Sequence, residues 1–151
     1  MNIEALTAKA KILIRRTPSD VFTAFVDASA MSKFWFTRKD NGLVEGESVT
    51  WFIGNGADAT SFDIFVKELN FPNKLVVEWE NGDEHTQVTW IFEETKLGDT
   101  VLTIEETGFT GSSDGILERA LDSTGGFNQV IVAAKAFIEY DIALNLVADH
   151  A

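Results

Sequence analysis

The chain of 151 residues contains no cysteine. It can form no disulfide, thiolate nucleophile or cysteine-bound metal site, and an intracellular setting is the simplest expectation. Its two histidines, His85 and His150, are far apart and give an imidazole-rich metal site little to work with. No apolar run approaches the ~20 residues that span a membrane. The segment from Met1 to Lys11 lacks the apolar stretch of a signal peptide. There is no repeat, no low-complexity segment and no Pro/Gly/Ser linker, so one domain over residues 1–151 is expected. Basic residues are scarce, 12 against 24 acidic ones, for a net charge of −12. Such a surface repels phosphate backbones and anionic bilayers. The densest basic group, Lys9, Lys11, Arg15 and Arg16, is too small to reverse that field. Nucleic acid and membrane are therefore not expected as partners. The acidity reads as solubility, and the cytoplasm is the expected location.

Apolar residues are plentiful, at 45%, with twelve phenylalanines and four tryptophans. That composition belongs to a globular domain rather than a disordered one. A chain of this length can bury roughly 70% of its unfolded surface.

Residues 8–17 read as a strand with Ile12 and Ile14 on one face. Thr17-Pro18-Ser19-Asp20 has the signature of a helix start: a capping hydroxyl, proline in the first turn, and a carboxylate near the positive helix end. Val21, Phe22 and Phe25 form its apolar stripe. Asp27 is placed to cap a second short helix that runs through Met31, Phe34 and Trp35. Asn41-Gly42 then signals a turn. Next comes period-two alternation: Val49, Trp51, Ile53; Phe62, Ile64, Val66; Leu75, Val77, Trp79; Val88, Trp90, Phe92; Leu102, Ile104, Glu106. Turn signals at Gly54-Asn55-Gly56, Asn70-Phe71-Pro72-Asn73, Asn81-Gly82-Asp83 and Gly98-Asp99 separate these runs. From about Ser113 the period becomes helical, through Ile116, Leu117, Ala120 and Leu121. After an interruption at Gly125-Gly126, it resumes with Phe127, Val130, Ile131, Ala134, Phe137 and Ile138. A long helix bent at the glycine pair is expected. Residues 142–151 are ambiguous between helix and extended chain.

Tight turns between strands imply an antiparallel sheet, and the single long helix must cover its apolar face. The fold class is α+β: about seven antiparallel strands, twisted and curved, around a long C-terminal helix. One helix cannot fill the whole concavity, so a pocket between sheet and helix is expected.

Several stretches carry a resemblance: Arg16 to Phe22, Met31 to Trp35, Pro72 to Trp79, Gly108-Phe109 and Gly125-Gly126-Phe127. In order and spacing they resemble the START-like (SRPBCC) superfamily, and within it the relatives of the activator of the heat-shock protein 90 ATPase, over about residues 8–150. The resemblance implies a helix-grip fold and a hydrophobic cavity. It does not fix an activity, because the superfamily includes lipid carriers, polyketide cyclases, hydrolases and chaperone regulators. Many such proteins carry a histidine near the end of the last strand. Glu106 stands there in this chain, which argues against histidine-dependent chemistry.

The alternation places Trp51, Phe62, Ile64, Val77, Trp79, Trp90, Phe92 and Ile104 on one face, with Phe127, Ile131 and Ala134 opposite them on the helix. With Trp35 they are the candidate walls of an apolar pocket of roughly 300–1,000 Å³. Side chains this large can also close such a space. Glu106 shares the inward face, where burial would make it a polar anchor or an acid–base group, unless it sits at a wet rim. Tyr140 is a distant second proton carrier. His85 reads as a solvated turn residue. Glu93-Glu94 and Glu105-Glu106 place successive side chains on opposite faces, so neither pair is a carboxylate dyad. Ser112-Ser113 lack a nucleophile elbow, and the glycine pairs lack a phosphate-cradle pattern. Phe52, Phe65, Val76, Ile91 and Val101 fall on the outer face, where apolar neighbours suggest a homodimer surface or scattered tolerated residues.

The sequence leads to a module that binds an apolar or aromatic small molecule, with no cofactor, metal or assigned catalytic residue. The alternatives are a chaperone-regulating interaction protein and a cyclase or hydrolase that uses Glu106.

Overall fold

The structure is a computed structural model, and it describes residues 6–38, 42–53, 60–81 and 84–149. Strand β1 (Ala8–Ile14) leads into helices α1 (Pro18–Val26) and α2 (Ala28–Met31). Strands β2 (Thr37–Arg38), β3 (Ser48–Ile53), β4 (Thr60–Asn70), β5 (Lys74–Asn81), β6 (Glu84–Glu94) and β7 (Thr100–Thr107) follow, then helix α3 (Ser113–Tyr140). The strands form one antiparallel sheet in the order β1-β7-β6-β5-β4-β3-β2. It has seven strands if the two-residue β2 is counted and six full ones otherwise. This is the helix-grip architecture expected.

Local chemistry explains the helix ends. Thr17 Oγ1 accepts the Asp20 N–H at 3.3 Å, with Pro18 in the first turn. Asp27 serves two helices. Its N–H donates to the Thr23 carbonyl at the end of α1, and its carboxylate accepts the Ala30 N–H at the start of α2. α2 is a single turn that stops at Met31, shorter than expected. Hydrogen-bonded turns carry the chain on to Trp35, whose N–H reaches the Met31 carbonyl at 2.8 Å. Ser112 caps α3 by accepting the Gly115 N–H at 3.1 Å.

α3 runs unbroken through Gly125 and Gly126, so the glycine pair does not interrupt it. An added Cβ at either glycine would meet no atom within 4 Å. Beyond Tyr140, Asp141 adopts a left-handed conformation (φ 56°) and ends the helix. Asn145, at φ 57°, turns the chain again, and Leu146 and Val147 pack back against the core.

The inward alternation holds along β3 to β7. Ile64 faces Trp79, Val66 faces Val77, and Trp90 lies between Leu75 and Ile104. A bulge at Lys67 shifts the register between Val66 and Glu68, so Leu69 faces the core beside Leu75. The Asn70–Asn73 turn closes as expected, with Asn73 N–H on the Asn70 carbonyl at 2.8 Å and a cis Phe71–Pro72 bond. The turns expected at Gly54–Gly56 and Gly82-Asp83 lie outside the described residues, as does Asn41.

α3 does not lie centrally over the sheet. Its main backbone contact is with β1, with lesser ones to β7 and α1, while α1 rests on β6. The inward face of β3, β4 and β5 is therefore left to Trp35, Phe36 and the middle of α3. No described helix is long and apolar enough to cross a membrane.

Candidate functional site

Between α3 and the β3–β5 side of the sheet lies a hollow of about 520 Å³, open on one side. Ile53, Phe62 and Trp79 rise from β3, β4 and β5 to form its floor. Trp35 and Phe36, stacked at 4.5 Å between ring centroids, form one wall. Asp122, Ser123, Gly125, Gly126, Phe127, Gln129 and Val130 of α3 form the other, and Val147 of the returning tail completes it. The rings touch edge to face: Phe127 meets Trp35 at 6.1 Å and Trp79 at 6.4 Å. Edge-to-face contacts of this kind join rings without filling the space between them.

Of the residues singled out from the sequence, Trp35, Phe62, Trp79 and Phe127 line the hollow. Trp51, Ile64, Val77, Trp90, Phe92, Ile104, Ile131 and Ala134 lie in the buried core and do not line it. Glu106 faces inward and is 3% exposed, but it lines a separate, smaller hollow of about 150 Å³ with Thr86, Phe109 and Arg119. Trp79, Asp122 and Ser123 belong to both spaces and separate them. The Thr86 hydroxyl donates to Glu106 Oε2, and the Arg119 guanidinium donates to the Thr110 carbonyl.

Tyr140 ends α3, is 68% exposed and lines neither hollow, so it is no proton carrier there. His85 lies within β6 rather than in a turn, exposed and 3.4 Å from Glu80. No cluster of metal-ligating side chains occurs among the described residues.

Alternation alone missed Phe36, Ile53, Val130 and Val147. Val130 and Ile53 continue stripes already visible in the sequence, on α3 and β3. Ser123 precedes Phe127 by four residues and so shares its helix face. Val147 has no periodic signal, because two left-handed residues place it.

Gly126 offers a direct stability test. Glycine inside a helix is less favourable than alanine by about 1 kcal/mol, and nothing obstructs a methyl group here. Gly126→Ala is expected to raise the unfolding free energy measured by urea denaturation by that amount, and any strain against the tail would reverse the sign.

On the outer face, Phe65 is 38% exposed, Val76 is buried, and Phe52, Ile91 and Val101 are half-buried. Ion pairs run between them: Lys9–Glu105 at 3.1 Å, Lys67–Glu78 at 3.6 Å and Lys74–Glu68 at 3.7 Å.

Residues 15–133 match the family model described as activator of Hsp90 ATPase homolog 1-like protein. No curated protein matches the chain. Among solved structures, DynU16, a protein of the dynemicin biosynthetic locus, superposes with a TM-score of 0.76 at 14% identity over 91% of this chain. This chain spans 48% of its length. A Mesorhizobium loti protein superposes at 0.76 with 16% identity, over 88% of this chain and 96% of that one. The Aha1 dimer from Colwellia psychrerythraea superposes at 0.70 with 13% identity, over 89% and 97%. At these identities the structural likeness shows the fold.

Proposed function

The chain belongs to the activator of Hsp90 ATPase homolog 1-like family, and we propose that it binds an apolar or aromatic small molecule in the hollow between sheet and long helix. One observation carries this reading. Five aromatic rings, of Trp35, Phe36, Phe62, Trp79 and Phe127, converge and still leave about 520 Å³ unfilled. That volume is within the range of small-molecule sites, and its walls are mostly apolar with a few polar groups at the edge. Glu106 lies behind Trp79 in the smaller hollow, so the reading needs no covalent step.

Ligand and stability are linked. A compound at 100 times its Kd stabilises the folded state by about 2.7 kcal/mol, a Tm rise on the order of 5–10 °C for a chain of this size. Thermal shifts across a panel of flavonoids, naphthalene-sized aromatics and fatty acids measure it. Tryptophan fluorescence should respond together with Tm, since Trp35 and Trp79 line the space. A flat response to the whole panel sinks the reading.

A second reading, regulation of the heat-shock protein 90 ATPase, draws on the family description and places the working surface outside the hollow. An ATPase assay with the chaperone separates the two. Self-association through the outer sheet face draws on the Colwellia dimer, and sedimentation velocity reports it.

A further inference from the structure

The hollow has a charge character as well as a shape. No lysine, arginine or histidine is among the described residues that line it. Among the described lining residues the one charged group is Asp122, exposed at the rim five residues before Phe127. Behind Trp79, the buried Glu106 puts a second carboxylic group into the adjoining space. Arg119 lines only that smaller space, where its guanidinium donates to the Thr110 carbonyl. Five of the remaining lining residues, Trp35, Phe36, Phe62, Trp79 and Phe127, are aromatic, with ring faces that carry partial negative charge.

An anion entering this space is repelled by ring faces, by the rim carboxylate and by a protein of net charge −12. Among the described wall residues it also finds no basic partner for the hydration it gives up. An ammonium group experiences the opposite field. It gains from the ring faces, most from indole, and from Asp122 at the mouth. The flat body of an aromatic compound can lie against Trp35, Trp79 and Phe127 while a short amine arm points to the rim.

Building on the cavity reading above, we infer that the hollow selects flat aromatic compounds bearing a protonated amine over the same ring systems bearing a carboxylate. Cation–ring attraction in a partly desolvated site corresponds to roughly tenfold in affinity. The rim carboxylate is exposed and contributes about two- to threefold more at low salt.

Three naphthalene compounds differing only in the arm test this: 2-naphthylmethylamine, 2-naphthylmethanol and 2-naphthoate, titrated by calorimetry at pH 7 in 20 mM and 300 mM salt. The expected order is amine, then alcohol, then carboxylate, with about a tenfold gap between first and last that narrows in high salt. Asp122→Asn, at an exposed position, should lower amine affinity two- to threefold and leave the alcohol unchanged. A carboxylate that binds as tightly as the amine overturns the selectivity but leaves the cavity reading standing. Equal loss for all three compounds in Asp122→Asn overturns the role of the rim charge. Binding of none of them to the folded protein overturns the selectivity, and the cavity reading falls with it when the wider panel is also silent.

Discussion

Replacing Trp90 by alanine is expected to lower the unfolding free energy by about 3–5 kcal/mol, a drop in Tm on the order of 10 °C for a chain of this length. Trp90 sits mid-strand on β6, fully buried between Leu75 and Ile104. Its ring meets Trp35 at 5.8 Å, Trp51 at 6.3 Å and Phe25 at 6.4 Å. Truncation removes the ring that joins α1, the Trp35 turn and the sheet, and residues held on strands cannot collapse far into the space left. The indole N–H finds no hydrogen-bond acceptor among the described residues. Trp90→Phe therefore deletes a polar group that had lost its water without a replacement, and keeps most of the packing. It should cost less than about 1.5 kcal/mol. Urea denaturation followed by far-ultraviolet circular dichroism compares the two. Equal losses in both variants would mean that the N–H, rather than the ring's bulk, holds the site.

Lys135→Met is expected to cost about 2–4 kcal/mol at pH 7, because it strips a buried carboxylate of its cation. The Glu139 side chain is 3% exposed and accepts from Lys135 Nζ and from the Arg15 N–H at 3.2 Å. Lys135 also donates to the Leu13 carbonyl at 2.6 Å, and Arg16 donates to the Glu139 carbonyl. Glu139 occupies the last turn of α3, where the helix dipole disfavours negative charge. These cations offset that cost and tie the helix end to β1. Burial alone would raise the Glu139 pKa. The Lys135 and Arg15 hydrogen bonds and the charges of both residues outweigh it, so the group lies below its ordinary value.

The sign of the pH dependence follows. Unfolded, Glu139 takes up its proton near pH 4.5. Folded, it does so at lower pH. Its contribution is complete above the unfolded value and disappears as pH falls through the folded one. The stability gap between the native chain and Glu139→Gln should be level from pH 7 to about 5.5 and close below that. A gap that stays constant down to pH 3 would mean that the carboxylate charge contributes nothing.

The sheet and helices are legible in the sequence because each rests on a local rule. Alternation at Leu75, Val77 and Trp79 needs only period two. Thr17, Asp27 and Ser112 announce helix starts through their own side chains. What is not legible is height above the sheet. Trp51 and Trp79 both alternate inward, yet one is sealed in the core and the other borders open space. The difference arises because α3 leans on β1, at the opposite edge from β3, and residue types do not encode that offset. Glu106 shows the same limit. Period two gives its side correctly, but the ring of Trp79 stands between it and the main hollow. The tail is hidden for another reason: its direction depends on the left-handed backbone of Asp141 and Asn145, which hydropathy does not register.

The clasp between β1 and the end of α3 joins groups 122 to 124 residues apart, and β1 pairs only with β7. During synthesis the first strand leaves the ribosome early and then waits for its neighbour while most of the chain is still being made. At 5–20 residues per second that wait is on the order of ten seconds. The nascent chain meanwhile presents an unpaired strand that alternates lysine with alanine, Ala8-Lys9-Ala10-Lys11. Small side chains and positive charge discourage it from pairing with strangers before its partner arrives.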